Sequence, residues 1–113
     1  MSNNYNADAK AIEDIQRAAK QSPKEPWVAI ATSRALLELG YSKGDRYSIQ
    51  SFDPRAVEKA EEYAKQGVLL GPNESLAYSQ LARAQLILGN YRPAWETLNQ
   101  AHEKDPNDFY PWY

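Results

Sequence analysis

One spacing occurs three times in this chain. A small residue is followed seven positions later by another small residue, and five positions after that by a proline. The instances are Ala11–Ala18–Pro23, Ala60–Gly67–Pro72 and Ala94–Ala101–Pro106. The last two prolines are 34 residues apart, and the first two are 49 apart, an excess of 15. A period of this size marks stacked copies of one supersecondary unit, none of which can bury its apolar face alone. The spacing therefore constrains the fold more than any other feature. It also turns the search for function toward a binding surface and away from an active site.

Helix punctuation fits the spacing. Ala11, Ile12, Ile15, Ala18 and Ala19 form a stripe of period 3.6, which predicts a helix from Ala7 to about Gln21. Pro23 and Pro26 end it and open a second helix, Trp27 to Leu39, which stops at Gly40, a residue suited to a left-handed cap. Asp53-Pro54 reads as an N-cap followed by proline at the first helical position. The third helix runs from there to about Leu70, and Gly71-Pro72 closes it. Asn73 caps a fourth helix ending at Gly89. The fifth spans about Tyr91 to Lys104, with Pro93 in its first turn, and Asp105-Pro106-Asn107 ends it. No segment alternates as a strand would, so the expectation is an all-α protein.

The helices alternate in type. The first, third and fifth carry the small–small–proline spacing. The second and fourth echo each other: Ser-Arg-Ala-Leu-Leu-Glu-Leu-Gly at 33–40 against Ala-Arg-Ala-Gln-Leu-Ile-Leu-Gly at 82–89, again at an offset of 49.

Residues 75–108 resemble a tetratricopeptide repeat, whose pattern is W-x2-L-G-x2-Y, then A-x3-F, then P. Here it reads Tyr78-x2-Leu81-Ala82-x2-Gln85, Ala94-x3-Leu98 and Pro106, with Gly89-Asn90-Tyr91 at the family's usual turn. Ala82, Gln85 and Leu98 replace the family's glycine, tyrosine and phenylalanine. The unit at 24–72 is a weaker match, interrupted by an insertion at 41–52. Residues 7–23 supply only the second helix of a unit, 73–106 a regular unit, and 107–113 the start of a further unit or a capping tail. The resemblance implies one domain over 1–113: a right-handed superhelical stack of antiparallel helix pairs, about five helices plus an aromatic tail. Small residues at 60, 67, 94 and 101 would let successive helices approach closely.

The resemblance also implies a non-catalytic protein-interaction scaffold whose concave face is lined by the first helix of each pair. Carried over by position, that face holds Trp27, Ile30, Arg34, Leu37 and Glu38, and Leu76, Ser79, Arg83, Leu86 and Ile87. Leu76, Leu86 and Ile87 suit a hydrophobic groove for a peptide, or else pack against a neighbouring unit or the tail. Arg34 and Arg83 recur at equivalent positions and suit a carboxylate; solvated arginines, or a pair with Glu38, are the alternative. Some family members grip the C-terminal carboxylate of chaperone peptides with a lysine and asparagine set. Ile30, Ala31 and Arg34 with Ser79, Gln80 and Arg83 do not reproduce it.

Three readings are open for the insertion, which carries Tyr41, Tyr47, Ile49 and Phe52. It folds over the groove or docks a partner; its aromatics cover an edge of the stack; or the second helix runs a turn further, to Gly44-Asp45. Loops this long within a compact repeat are often functional.

Other chemistry is sparse. Net charge is −2 and the basic residues are scattered, so no nucleic-acid footprint is visible. The absence of cysteine excludes disulfides and thiolate chemistry. His102 has no second ligand beside it, and no nucleophile–base pair or phosphate-binding glycine loop is present, so neither metal, cofactor nor enzymatic activity is expected. Met1 to Ala9 lacks a signal-peptide core, and no apolar run approaches the roughly 20 residues of a membrane span. The default localisation is cytoplasmic. Phe109, Tyr110, Trp112 and Tyr113 end the chain where such stacks usually carry a polar cap. Tyr110, Trp112 and Tyr113 are therefore candidate assembly residues: the chain is part of a longer protein, forms a homo-oligomer through its open end, or folds its tail onto the fifth helix. The leading expectation is a module that binds a peptide or protein segment. The alternatives are structural self-association and a regulatory arm of a larger protein.

Overall fold

A computed structural model describes residues 8–105. These form five α-helices: α1 (Asp8–Ala19), α2 (Pro26–Gly40), α3 (Pro54–Leu70), α4 (Ser75–Ile87) and α5 (Tyr91–Lys104). A single 3-10 turn, Ile49–Ser51, lies in the insertion, and no strand occurs among the described residues.

Local chemistry accounts for most boundaries. Pro26 and Pro54 sit in the first turns of α2 and α3, where a missing N–H costs nothing. The Asp53 carboxylate accepts the Arg55 backbone N–H at 3.0 Å and caps α3. Two expected caps are corrected. The residue that caps α4 is Glu74, without a side-chain hydrogen bond, rather than Asn73. Gly40 is the last residue of α2 and not a left-handed cap; Tyr41 follows it in an extended conformation. Gly40 is needed for a different reason: a Cβ there would lie 2.6 Å from the Ala56 Cβ. Gly89, in contrast, has φ +84 and turns the chain between α4 and α5. Its N–H bonds to the Leu86 carbonyl and the Asn90 N–H to the Gln85 carbonyl, the paired pattern of a Schellman motif.

Contacts fix the arrangement. The end of α2 meets the start of α3 at Gly40 and Ala56, while Gly67 near the end of α3 meets Ile30 and Ala77. Helix α3 is thus antiparallel to both α2 and α4. Lys104, ending α5, lies 5.8 Å over the Tyr78 ring near the start of α4, so this pair is antiparallel as well. Between α2 and α4, Ser33 meets Gln80 and Glu38 meets Arg83; these helices lie side by side and parallel.

The core forms where the pairs meet: Leu36 and Leu37 of α2, Ala56, Val57 and Ala60 of α3, Ile87 of α4, Ile12 of α1 and Phe52 of the insertion. Ala60, Gly67, Ala94 and Ala101 are all buried, as close helix approach requires. The first rung of the ladder departs from this. Ala18 is exposed, and its neighbour Ala19 is buried instead. Pro106 and the tail lie outside the described residues. One buried polar relay crosses three helices: the Gln80 amide donates to the Ser33 hydroxyl at 3.1 Å, and that hydroxyl donates to the Ala60 carbonyl at 2.7 Å. Gln85, at the family's tyrosine position, is also buried, and its amide oxygen accepts the Thr97 hydroxyl at 2.9 Å. Both pairings satisfy polar groups that would be costly to bury alone. Among the described residues no helix is long and apolar enough to cross a membrane.

Candidate functional site: the cleft between α2 and α4

Parallel packing of α2 and α4 leaves an open cleft of ≈ 320 Å³ between them. It is lined by Ile30 and Arg34 from α2, Leu76, Ser79, Gln80 and Arg83 from α4, and Tyr47 from the insertion. Ile30 and Arg34 are one helical turn apart, as are Ser79 and Arg83, so each pair shares a face. The size lies at the lower end for a ligand cleft.

Five of the ten residues expected on the partner-binding face line this cleft: Ile30, Arg34, Leu76, Ser79 and Arg83. Leu37 and Ile87 do not belong to that face. Both are fully buried, within the core that α2, α3 and α4 share, and no partner can reach them. Trp27 is two-thirds exposed at the start of α2 and Leu86 is half-buried, but neither lines the cleft. Glu38 is exposed just beyond it and acts through its neighbours. Its carboxylate lies 3.5 Å from the Arg83 guanidinium and 3.5 Å from that of Arg46. The expected alternative of an intramolecular pair therefore applies to Arg83 and not to Arg34. Arg34 makes no ion pair or side-chain hydrogen bond with any described residue. Pairs as exposed as those of Glu38 add at most about 1 kcal/mol to stability, so they orient the arginines more than they stabilise the fold. Tyr110, Trp112 and Tyr113 lie outside the described residues.

The insertion folds as a strapped loop. Tyr41 and Phe52 form an isolated antiparallel bridge, with rings 5.4 Å apart. The Ser42 N–H donates to the Ser51 carbonyl at 2.8 Å, and the Asp53 N–H to the Gly40 carbonyl at 2.8 Å. Close ends and internal packing are the marks of an Ω-loop. Phe52 is completely buried and anchors it in the core. Inside the loop the Tyr41 hydroxyl donates to the Gly44 carbonyl at 2.6 Å, with Gly44 at φ +100. The Asp45 carboxylate accepts the Tyr47 N–H at 2.9 Å, and the Arg46 guanidinium lies 4.1 Å over the Tyr41 ring. Helix α2 does not extend to Asp45; it ends at Gly40. Two of the sequence readings describe different residues of one loop. Phe52 packs into the core, while Tyr47 reaches the cleft.

Gln80 and Tyr47 are cleft residues absent from the expected set. Gln80 stands where α2 has Ala31, and a polar residue on an otherwise apolar stripe was the available signal. Tyr47 belongs to the insertion, for which folding over the groove is one reading, but nothing in the sequence singles it out from Tyr41, Ile49 and Phe52, because loop conformation carries no period. The cleft itself combines an apolar wall of Ile30, Leu76 and Tyr47, hydrogen-bonding groups from Ser79 and Gln80, and two guanidinium groups. Among the described residues no three His, Asp or Glu side chains gather as a metal site would require. The chain matches no protein-family model, no curated protein and no solved structure.

Proposed function

We propose that the chain is a non-catalytic interaction module of the tetratricopeptide type, its helix pairs stacked in a right-handed superhelix, and that the α2–α4 cleft holds a peptide or protein segment. The observation that carries this reading is the cleft. The first helices of two successive pairs run parallel and expose apolar, hydrogen-bonding and cationic side chains to one open channel. Extended peptides need such a mixture: apolar pockets for affinity and polar groups for register. The repeat spacing and the buried small residues at 60, 67, 94 and 101 support the family reading independently.

Site-specific crosslinking tests it. A photoreactive benzoylphenylalanine at Leu76, which is 49% exposed in the cleft, should give a discrete adduct with a co-purifying protein. The same group at Gln66, exposed on α3, should not. Equal adducts from both positions, or adducts from Gln66 alone, would remove the cleft from consideration.

A second reading rests on α5. Tyr91 and Trp95 are one helical turn apart and 67% and 65% exposed, an apolar pair on the outer end of the stack. Self-association through that end would make the chain a homodimer. Light scattering separates the two readings: a mass that stays monomeric at all concentrations eliminates the dimer, and a dimer lost on Trp95→Ala supports it.

A further inference from the structure

Charge in the cleft is one-sided. The chain carries a net charge of −2, yet among the described residues the charged side chains that line the cleft are Arg34 and Arg83. Arg46 stands beside them, and among the described residues Glu38 is the one carboxylate paired with this group, shared between Arg46 and Arg83. Lys43 and Asp45 add one charge of each sign to the loop, with Asp45 engaged by the Tyr47 N–H. Three guanidinium groups thus face one carboxylate. Both pairs of Glu38 measure 3.5 Å, well beyond the roughly 2.7–2.9 Å of a charge-assisted hydrogen bond, so most of the guanidinium donors stay available. Arg34 has all of its donors available, with no partner among the described residues.

An apolar wall lies against this cationic site. Ile30 and Leu76 flank it, and the Tyr47 ring supplies a side that a regular helix pair would lack. Tyr47 is held there by a loop anchored through the fully buried Phe52, so the wall is part of the fold. The Gln80 amide is fixed by its hydrogen bond to Ser33 and gives the floor a defined polar point.

Building on the peptide-binding reading, we propose that the cleft selects an extended peptide segment carrying an Asp or Glu beside a bulky apolar residue. The carboxylate docks on Arg34 and Arg83, and the apolar side chain packs on Ile30, Leu76 and Tyr47. Charge complementarity names the acid, and the apolar wall names its neighbour. The insertion at 41–52 is then a specificity element: it supplies Tyr47 and, through Arg46, shares Glu38 away from Arg83.

Selection from a library of random dodecapeptides against the full chain tests this, followed by fluorescence anisotropy on the enriched peptides. The expected result is enrichment of peptides with Asp or Glu next to Leu, Ile, Phe or Met. Replacing the acid by its amide, or Arg34→Gln in the protein, should then weaken binding by about tenfold, as befits a charge-assisted contact. Tyr47→Ala should weaken it severalfold. Arg34 is exposed, with no partner among the described residues, and Tyr47 is 41% exposed, so both variants should keep the wild-type circular dichroism and melting curve. Enrichment of uncharged or basic peptides that still lose affinity with Leu76→Ser would overturn the acidic specificity and leave the cleft as the binding site. Peptides indifferent to Arg34→Gln, Tyr47→Ala and Leu76→Ser, or no enrichment, would overturn both.

Discussion

The sequence of α4 echoes that of α2 at an offset of 49 residues, and α5 echoes α3 at an offset of 34, yet matching positions do different work. Gly40 and Gly89 end the same Leu-Gly dipeptide. Gly40 lets two helices touch, whereas Gly89 turns the backbone left-handed with nothing within 4 Å of its missing Cβ. Leu37 is fully buried and Leu86 only half-buried; Glu38 is exposed and its counterpart Ile87 is buried. Neighbours explain the pattern. Helix α4 has the whole α2–α3 pair behind it, so its stripe Ala77, Gln80, Ala84 and Ile87 is covered. Only α1 precedes α2 among the described residues, and the equivalent stripe, Val28, Ala31, Ala35 and Glu38, stays half-buried or exposed. A repeat sets which face points where. The adjoining unit sets whether that face is dry.

Paired substitutions can break this comparison. The largest difference is expected at Leu37 and Leu86. Leu37→Ala should cost about 2–5 kcal/mol through the cavity it leaves in the core, and Leu86→Ala about 1 kcal/mol, both read by urea unfolding. Equal costs would mean that the two pairs are buried alike.

The glycines come next. Gly40→Ala should cost about 1–3 kcal/mol by overpacking against Ala56, and Ala56→Gly should recover part of that in a double-mutant cycle. Gly89→Ala should cost about 1–2 kcal/mol from backbone strain alone, and Gly89→Asn less. No partner substitution should rescue it. A cycle with zero coupling at Gly40 would show that the close contact is not what requires glycine there.

The smallest difference concerns the helix starts. Asp53 caps α3 with its side chain, whereas Asn90, at the start of α5, makes no such hydrogen bond. Asp53→Ala should cost about 1 kcal/mol and Asn90→Ala no more than about 0.5. Asp53 also predicts a pH dependence. Its hydrogen bonds from the Arg55 side chain hold the carboxyl below the ordinary 3.8, against the opposing effect of burial. A depressed folded-state value means that the stabilisation is complete above pH 3.8 and is lost as pH falls through the lower, folded value. The stability gap between wild type and Asp53→Asn should therefore be constant at neutral pH and close in acid. A gap that widens in acid would contradict the ion pair.

Chain-local signals made much of this molecule legible. Proline and glycine positions, the N-cap Asp53 and the 3.6-residue stripes located all five helices, and α5 has the expected limits. The resemblance, carried over by position, assigned Ile30, Arg34, Leu76, Ser79 and Arg83 to one candidate face, and these five line the cleft. Transfer by position failed at Leu37 and Ile87, since the two pairs do not have the same neighbours. The first instance of the ladder misled for the same reason: Ala18 has the spacing without the burial.

Proline and glycine positions, the 3.6-residue stripes and the long segment between Gly40 and Asp53 were enough to predict five helices with one long loop between the second and the third, since periodicity and turn chemistry act over a few residues. Three-dimensional packing was needed for the rest. It decided that Phe52 enters the core while Tyr47 walls the cleft, that Glu38 takes Arg83 and Arg46 and leaves Arg34 alone, and that Gln80 reaches Ser33 across two helices. Each of these joins groups far apart in the chain, and their burial and charge balance depend on contacts that no local pattern encodes.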